Sequence, residues 1–296
     1  MASTFTLPKI AGEPPVEVHL VDNLTEDQFV AWIPFKNWLE TFRQSLALQS
    51  DVNHPFHKED ERYTLRSIEV KAVDMWGNRI GFLMMKTVVK NEKDKQPLAG
   101  TVFLRGGSVA ILMILRPEED EDNDERWVVM TQQPRVPAAS LTFYEIPAGM
   151  IDDSGTFSGA AAKELYEETS LEVPVSELKN MTKLALKNAK LALKDAQGSE
   201  EHLQKAMYPS PGGCDEYIAL FLWERTMPRI EINELRGKLS GVDSEKIKVK
   251  LVRYEELWKE GARDAKTLAA WALYEGLTRE GRLDEDEDDE NGEDGA

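Results

Sequence analysis

The stretch from Glu145 to Leu171, "EIPAGMIDDSGTFSGAAAKELYEETSL", ends with Glu164, Glu167 and Glu168 packed into five residues. Read as a helix from Ser158 to Thr169, it places all three on one face at i, i+3 and i+4. Like charges so spaced destabilise a helix by about 0.2–0.5 kcal/mol per pair. Either a partner offsets that repulsion or the face is merely solvated. Just upstream, "LTFYEIP" reads as a strand, Ala148–Gly149 as a glycine turn, and Asp152 and Asp153 fall in the loop before the helix. A strand–loop–helix unit of this kind suits a hard divalent ion such as Mg2+, which takes its oxygen ligands from one or two carboxylates and from substrate phosphates.

The rest of the chain narrows the classes of function. With 296 residues, 41% of them hydrophobic, the chain can bury a sizeable core in one or two domains. The formal net charge is −18, and nine of those negative charges lie between Asp284 and Asp294 in "DEDEDDENGED". That tail lacks the apolar surface to order itself and is expected to be disordered. No basic stripe exists to displace counterions from phosphate backbone, so nucleic acid is not an expected partner. The lone Cys214 excludes an internal disulfide and a cysteine zinc cluster, and fits a reducing compartment. His54 and His57 are separated by Pro55 and read as a surface loop. No apolar run approaches the ~20 residues of a membrane helix, so no membrane partner is expected. The opening "MASTFTLPKIAGEPP" has neither an apolar h-region nor an arginine. A cytoplasmic location is expected, with organelle targeting as the alternative.

Periodicity divides the chain into a helical segment (1–62), a β-rich region (63–100), a larger region of strands and helices (101–282) and the acidic tail (283–296). In the first, "TEDQFVAWIPFKNWLETFRQSLAL" is helical, with Thr25 as N-cap and Pro34 kinking or splitting it. "YTLRSIEVKAVDMWGNRIGFLMMKTVV" is a hairpin bent at "WGNR", and Trp76 at the bend is either a core residue or a platform for an adenine. Strands follow in "TVFLRGGSVAILMIL" and "RWVVMTQQPR", with the seven carboxylates between Pro117 and Glu125 read as a solvated hairpin tip. The tandem "KLALKNA"–"KLALKDA" from Lys183 to Ala196 is an amphipathic helix lying on the domain surface. After the loop "YPSPGGCDEY" come a strand "IALFLW", a polar stretch from Met227 to Lys246, a strand "IKVKLV" and a last helix "DAKTLAAWALYEGLTREG".

Laid on the pattern G-x5-E-x7-R-E-U-x-E-E-x-G-U, with U a large apolar residue, the opening stretch resembles the Nudix hydrolases. Gly149 takes the first glycine, Lys163 and Glu164 the Arg-Glu pair, Leu165 the apolar site, Glu167 and Glu168 the Glu-Glu pair, and Leu171 the last position. Gly155, Lys163 and Ser170 depart from it, replacing a glutamate, the arginine and the final glycine. "VDMWGNRIGFL", "QQPRVP", "YEIPAGMIDD", "YPSPGGCDEY", "IKVKLVRYEELW" and "DAKTLAAWALYEGL" are together similar to the ADP-sugar diphosphatases, above all the plant-type branch.

The resemblance implies an α/β (α+β) architecture, a Nudix α/β/α sandwich around a mixed sheet, preceded by a smaller β-rich N-terminal region. It implies Mg2+-dependent hydrolysis, with Mn2+ as the alternative ion, of the diphosphate of ADP-ribose or ADP-glucose to AMP and a sugar phosphate. It assigns metal binding to Glu164, Glu168 and the carbonyl of Ala148, with Glu167 in catalytic support. It also assigns substrate contacts to Arg135, Gly149 and Glu216, the last at the rim of the site. Asp243 and Glu245, in the loop "GVDSEK", share the nomination for catalytic base. A homodimer through the N-terminal region is implied as well. Gly155 motivates a competing reading, a catalytically weak relative that binds a nucleotide or a protein; a third keeps the enzyme with another nucleoside diphosphate derivative.

Overall fold

The run "SVAILMIL" becomes strand β6 (Ser108–Pro117), in which every side chain from Ser108 to Leu115 is buried. A strand this apolar on both faces needs a cover on both. In the computed structural model, which describes residues 3–9, 13–57, 61–93, 97–122, 124–151, 157–159, 171, 173–192, 202–240 and 246–285, both covers are present. The strand pairs in parallel with β11 (Ile218–Met227) and antiparallel with β7 (Trp127–Arg135). It lies near the middle of a mixed sheet, completed by β8 (Ser140–Glu145), β9 (Ala148–Met150), β10 (Lys179–Asn180), β12 (Leu239–Ser240) and β13 (Ile247–Arg253).

Alternation along β6 and β11 sorts their side chains into two cores. Val109, Ile111, Met113, Ala219, Phe221 and Trp223 face Ile232 and Leu235 of a short helix (Arg229–Leu235). Ala110, Leu112, Ile114, Leu220 and Leu222 face Met181 and Leu184 of another helix (Met181–Ala192), together with Ala270, Tyr274 and Leu277 of the C-terminal helix (Ala265–Glu280). The layers are helix, sheet, helix, the expected sandwich. The first copy of the tandem repeat has Leu184 buried and Leu186 exposed, as an amphipathic helix requires. The second copy extends beyond the described residues, as does the acidic tail from residue 286.

A second sheet is built from β1 (Thr4–Thr6), β2 (Glu17–His19), β3 (Thr64–Trp76), β4 (Arg79–Lys90) and β5 (Thr101–Leu104). It is the β-rich N-terminal region, and it crosses two boundaries read from composition. Strands β1 and β2 come from before residue 62 and β5 from after residue 100. One face packs Leu83, Met85 and Ile68 on Phe29 and Phe35. These aromatics belong to helices α1 (Glu26–Ala31) and α2 (Ile33–Leu48), separated by extended Trp32 so that Pro34 falls in the first turn of α2, where its missing N–H costs nothing. Thr25 and Gln28 close a capping box on α1. The β3–β4 bend closes with Gly77 at φ 63°, which glycine adopts without strain. Trp76 is 40% exposed, so the core alternative for this residue does not hold.

Three local expectations change. Ala148–Gly149 is no turn: both residues lie in β9 and pair with Ala110 and Val109. The polar stretch after Met227 folds into the short helix through Ile232 and Leu235, an apolar pair three residues apart among charges. The acidic loop is not merely solvated. Arg229 donates to Glu125 at 2.6 and 2.8 Å and, through its backbone N–H, to Glu119 at 2.9 Å; Trp127 Nε1 adds a bond to Glu125 at 2.7 Å. Arg229 first, then Trp127, holds the Glu125 carboxyl down at about 2 against an ordinary 4.5.

Two expectations follow. Phe29 is fully buried with its ring 3.9 Å from that of Phe35, so Phe29→Ala should destabilise by about 3–5 kcal/mol in urea titration. Because Glu125 is more acidic folded than unfolded, its contribution is present above pH 4.5 and lost as pH falls from there toward 2. The urea midpoint of Glu125→Gln should therefore lie below that of wild type at pH 6, and the gap should narrow as pH falls from 4.5 and close only below pH 2.

Candidate active site

Strands β6 and β7 pair directly only at Ile114–Val128 and Leu115–Trp127. Beyond that point they separate, and the segment from 140 to 150 enters between them: β8 pairs with β7, and β9 pairs with β6. The chain changes partner at Ile146 and Pro147. Pro147 has no N–H to satisfy, and its carbonyl accepts from Ile111 N–H at 3.0 Å. The Ile146 N–H is buried at the crossing and donates to the Thr267 hydroxyl at 3.2 Å.

This geometry gathers the described candidates at one end of the sheet. Ala148 and Gly149 flank the start of β6, and Arg135 is the last residue of β7, which runs antiparallel to β6. Glu216 lies two residues before β11, whose Ile218 is in register with Ser108. The Ser108 hydroxyl donates to Glu216 at 3.3 Å, and Arg105 pairs with the same carboxylate at 3.2 Å. Glu164, Glu167, Glu168, Asp243 and Glu245 lie outside the described residues, as do Asp152, Asp153, Gly155, Lys163 and Ser170. Among the described residues no group of three His, Cys, Asp or Glu is placed to hold a metal.

The "SPGG" loop is fixed by the N-terminal sheet. Phe103 N–H donates to the Gly213 carbonyl at 2.8 Å, and Asp215 N–H donates back to Phe103 at 3.2 Å, so the loop adds to the edge of β5. The Asp215 carboxylate accepts from the backbone N–H groups of Arg105 at 2.7 Å and Gly106 at 3.1 Å. Gly106 holds φ 82°, and a side chain at Gly107 would stand 2.3 Å from the Tyr217 ring, so this bend requires both glycines. Burial pushes the Asp215 carboxyl above its usual range, against the pull of the two backbone donors. Burial also raises the Cys214 thiol, which leaves it a poor nucleophile.

Around Arg135 the structure assembles a set of charges that sequence reasoning missed. Arg135 Nε donates to Glu145 Oε1 at 2.6 Å; Lys266 contacts Glu145 Oε2 and donates to Asp264 Oδ1 at 2.9 Å. Asp264 caps the C-terminal helix through the Thr267 N–H at 3.2 Å and accepts the Thr267 hydroxyl proton at 2.5 Å. One signal was legible: a glutamate ending the otherwise uncharged strand "SLTFYE" needs a charged partner once buried. Its partner, 121 positions downstream, was not.

A model of the NUDIX domain matches residues 105–272, more than half of the chain. Among curated proteins, "Nudix hydrolase 14, chloroplastic" of Arabidopsis thaliana is 33% identical over 287 residues, covering 95% of this chain and 83% of that protein. The matched range contains the whole separation of β6 from β7, and the similarity continues on both sides of it: the chain belongs to the Nudix hydrolase family.

Proposed function

We propose that the chain hydrolyses the diphosphate of ADP-sugars, ADP-ribose or ADP-glucose, to AMP and a sugar phosphate. The observation that carries this reading is the convergence of Arg135, Glu216 and Gly149 at the sheet end from which the Gly149–Leu171 box departs. In this proposal Arg135 and the Gly149 backbone hold the diphosphate, and Glu216 lines the rim, oriented by Ser108 and Arg105. Glu164, Glu168 and the Ala148 carbonyl would hold Mg2+ or Mn2+, with Glu167 in support; an all-oxygen donor set is what a hard cation takes. When bound, the ion supplies charge neutralisation of the diphosphate and a water of lowered pKa. Asp243 or Glu245 takes the proton from the attacking water.

The competing reading, a binding module with weak turnover, is favoured by one observation, Gly155 in place of the glutamate of the box. The exposed Trp76, Met84 and Phe103 on β3, β4 and β5 support a homodimer through the N-terminal sheet. The Arabidopsis relative is named as chloroplastic, which supports an organellar location over the cytoplasmic one.

AMP release from ADP-ribose and ADP-glucose is expected with Mg2+ and not after chelation; absence of metal-dependent turnover on any nucleoside diphosphate derivative would leave the binding module. Glu168→Gln should abolish turnover, a loss of at least about a hundredfold, with an unchanged unfolding midpoint. An active Glu168→Gln enzyme would move the metal site elsewhere.

A further inference from the structure

We infer that Lys266 is a positioning residue for Arg135, acting through Glu145. The inference rests on the reading of Arg135 as a substrate contact. Four charges alternate in sign from the inside outward: Asp264, Lys266, Glu145 and Arg135. Their side chains are 7%, 11%, 3% and 40% exposed, so Arg135 is the most exposed member of a row otherwise enclosed. Each carboxylate divides its two oxygens. Asp264 gives Oδ2 to Thr267 and Oδ1 to Lys266; Glu145 gives Oε2 to Lys266 and Oε1 to Arg135.

That division decides how Arg135 is held. A carboxylate beside a guanidinium tends toward a two-point grip that uses both oxygens and two of the N–H groups. Lys266 occupies the second oxygen, and Glu145 bonds Arg135 through Nε. Lys266 also balances the Glu145 charge, so the arginine is not the sole cation answering a carboxylate that is 3% exposed. Without Lys266, Glu145 turns both oxygens onto Arg135 and draws the guanidinium inward, where it neutralises the buried anion instead of meeting substrate phosphate. Lys266 follows the N-cap of the C-terminal helix, so the helix that covers the sheet also sets the reach of the arginine at its end.

The test uses the full-length chain. Lys266→Met keeps an unbranched side chain one atom shorter and removes its charge; with ADP-ribose it should raise KM about tenfold while kcat stays within about twofold. Lys266→Arg should restore KM. In an Arg135→Ala background Lys266→Met should add nothing further, because the two act on one contact. The Arg135 Nε–Hε resonance, identified by its loss in Arg135→Ala, should shift in Lys266→Met and return in Lys266→Arg. Glu145→Gln with Lys266→Met removes one charge of each sign, and its folding, read by melting temperature, should stay near wild type while KM remains raised. A Lys266→Met enzyme with wild-type KM and an unmoved Arg135 resonance overturns the inference. If wild type shows no turnover, the functional reading fails separately, and the resonance alone decides whether Lys266 positions Arg135.

Discussion

A chain that changes strand partner in the middle of a sheet must do so without stranding a backbone amide. Here the change occurs between Glu145 and Ala148, and two residues make it affordable: Pro147, which has no N–H to lose, and Thr267, whose hydroxyl takes the one from Ile146. Thr267 is fully buried and held by Asp264, so the first turn of the C-terminal helix is fixed at the crossing. From that fixed point the helix lays Ala270, Tyr274 and Leu277 on one face of the sheet. The separation of β6 from β7, the cover of that face and the seat of Arg135 all trace back to this crossing.

Much of the fold was legible in local pattern, because the deciding forces there are local. Thr25 announced itself as an N-cap, Asp264 sits one residue before a helix-forming run, and the two-sided apolar character of "SVAILMIL" required covers above and below. What the pattern did not carry was partner choice. Ala148 and Gly149 look like a turn because glycine is weak in strands, yet three residues suffice to pair when β6 has an open edge beside them. The Arg229 helix was hidden because its three apolar residues, Ile230, Ile232 and Leu235, make a faint period among polar ones, and the pinning of Glu125 depends on an arginine 104 positions away. At the site, Arg135 and Glu216 were nominated by motif, whereas Lys266 and Glu145 could only be recognised as partners once the crossing placed them together.

The charges around Glu145 are paired by sign, and each oxygen of the two carboxylates accepts at least one hydrogen bond. A buried ion pair adds little net stability over well-packed apolar side chains, since desolvation offsets most of the attraction. Such a row does discriminate between arrangements: a slip of β8 against β7 by one residue would turn Glu145 to the other face and leave Lys266 facing no anion there. The row therefore acts chiefly on register, and register at β8 decides where Ala148 and Gly149 begin.

The attachment of the "SPGG" loop to β5 bears on where this protein can be divided. The family-matched range begins at Arg105, one residue after β5 ends, and stops at Ala272, before Tyr274 and Leu277 of the last helix. A fragment cut to that range would lose the edge strand that holds Gly213 and Asp215, together with two side chains that seal the sheet. The range matched by the family and the packed unit of this chain are thus different objects. Glu216 is held by Arg105 and Ser108 inside that range, but the loop that carries it is tied at Gly213 and Asp215 to Phe103, which the range leaves out.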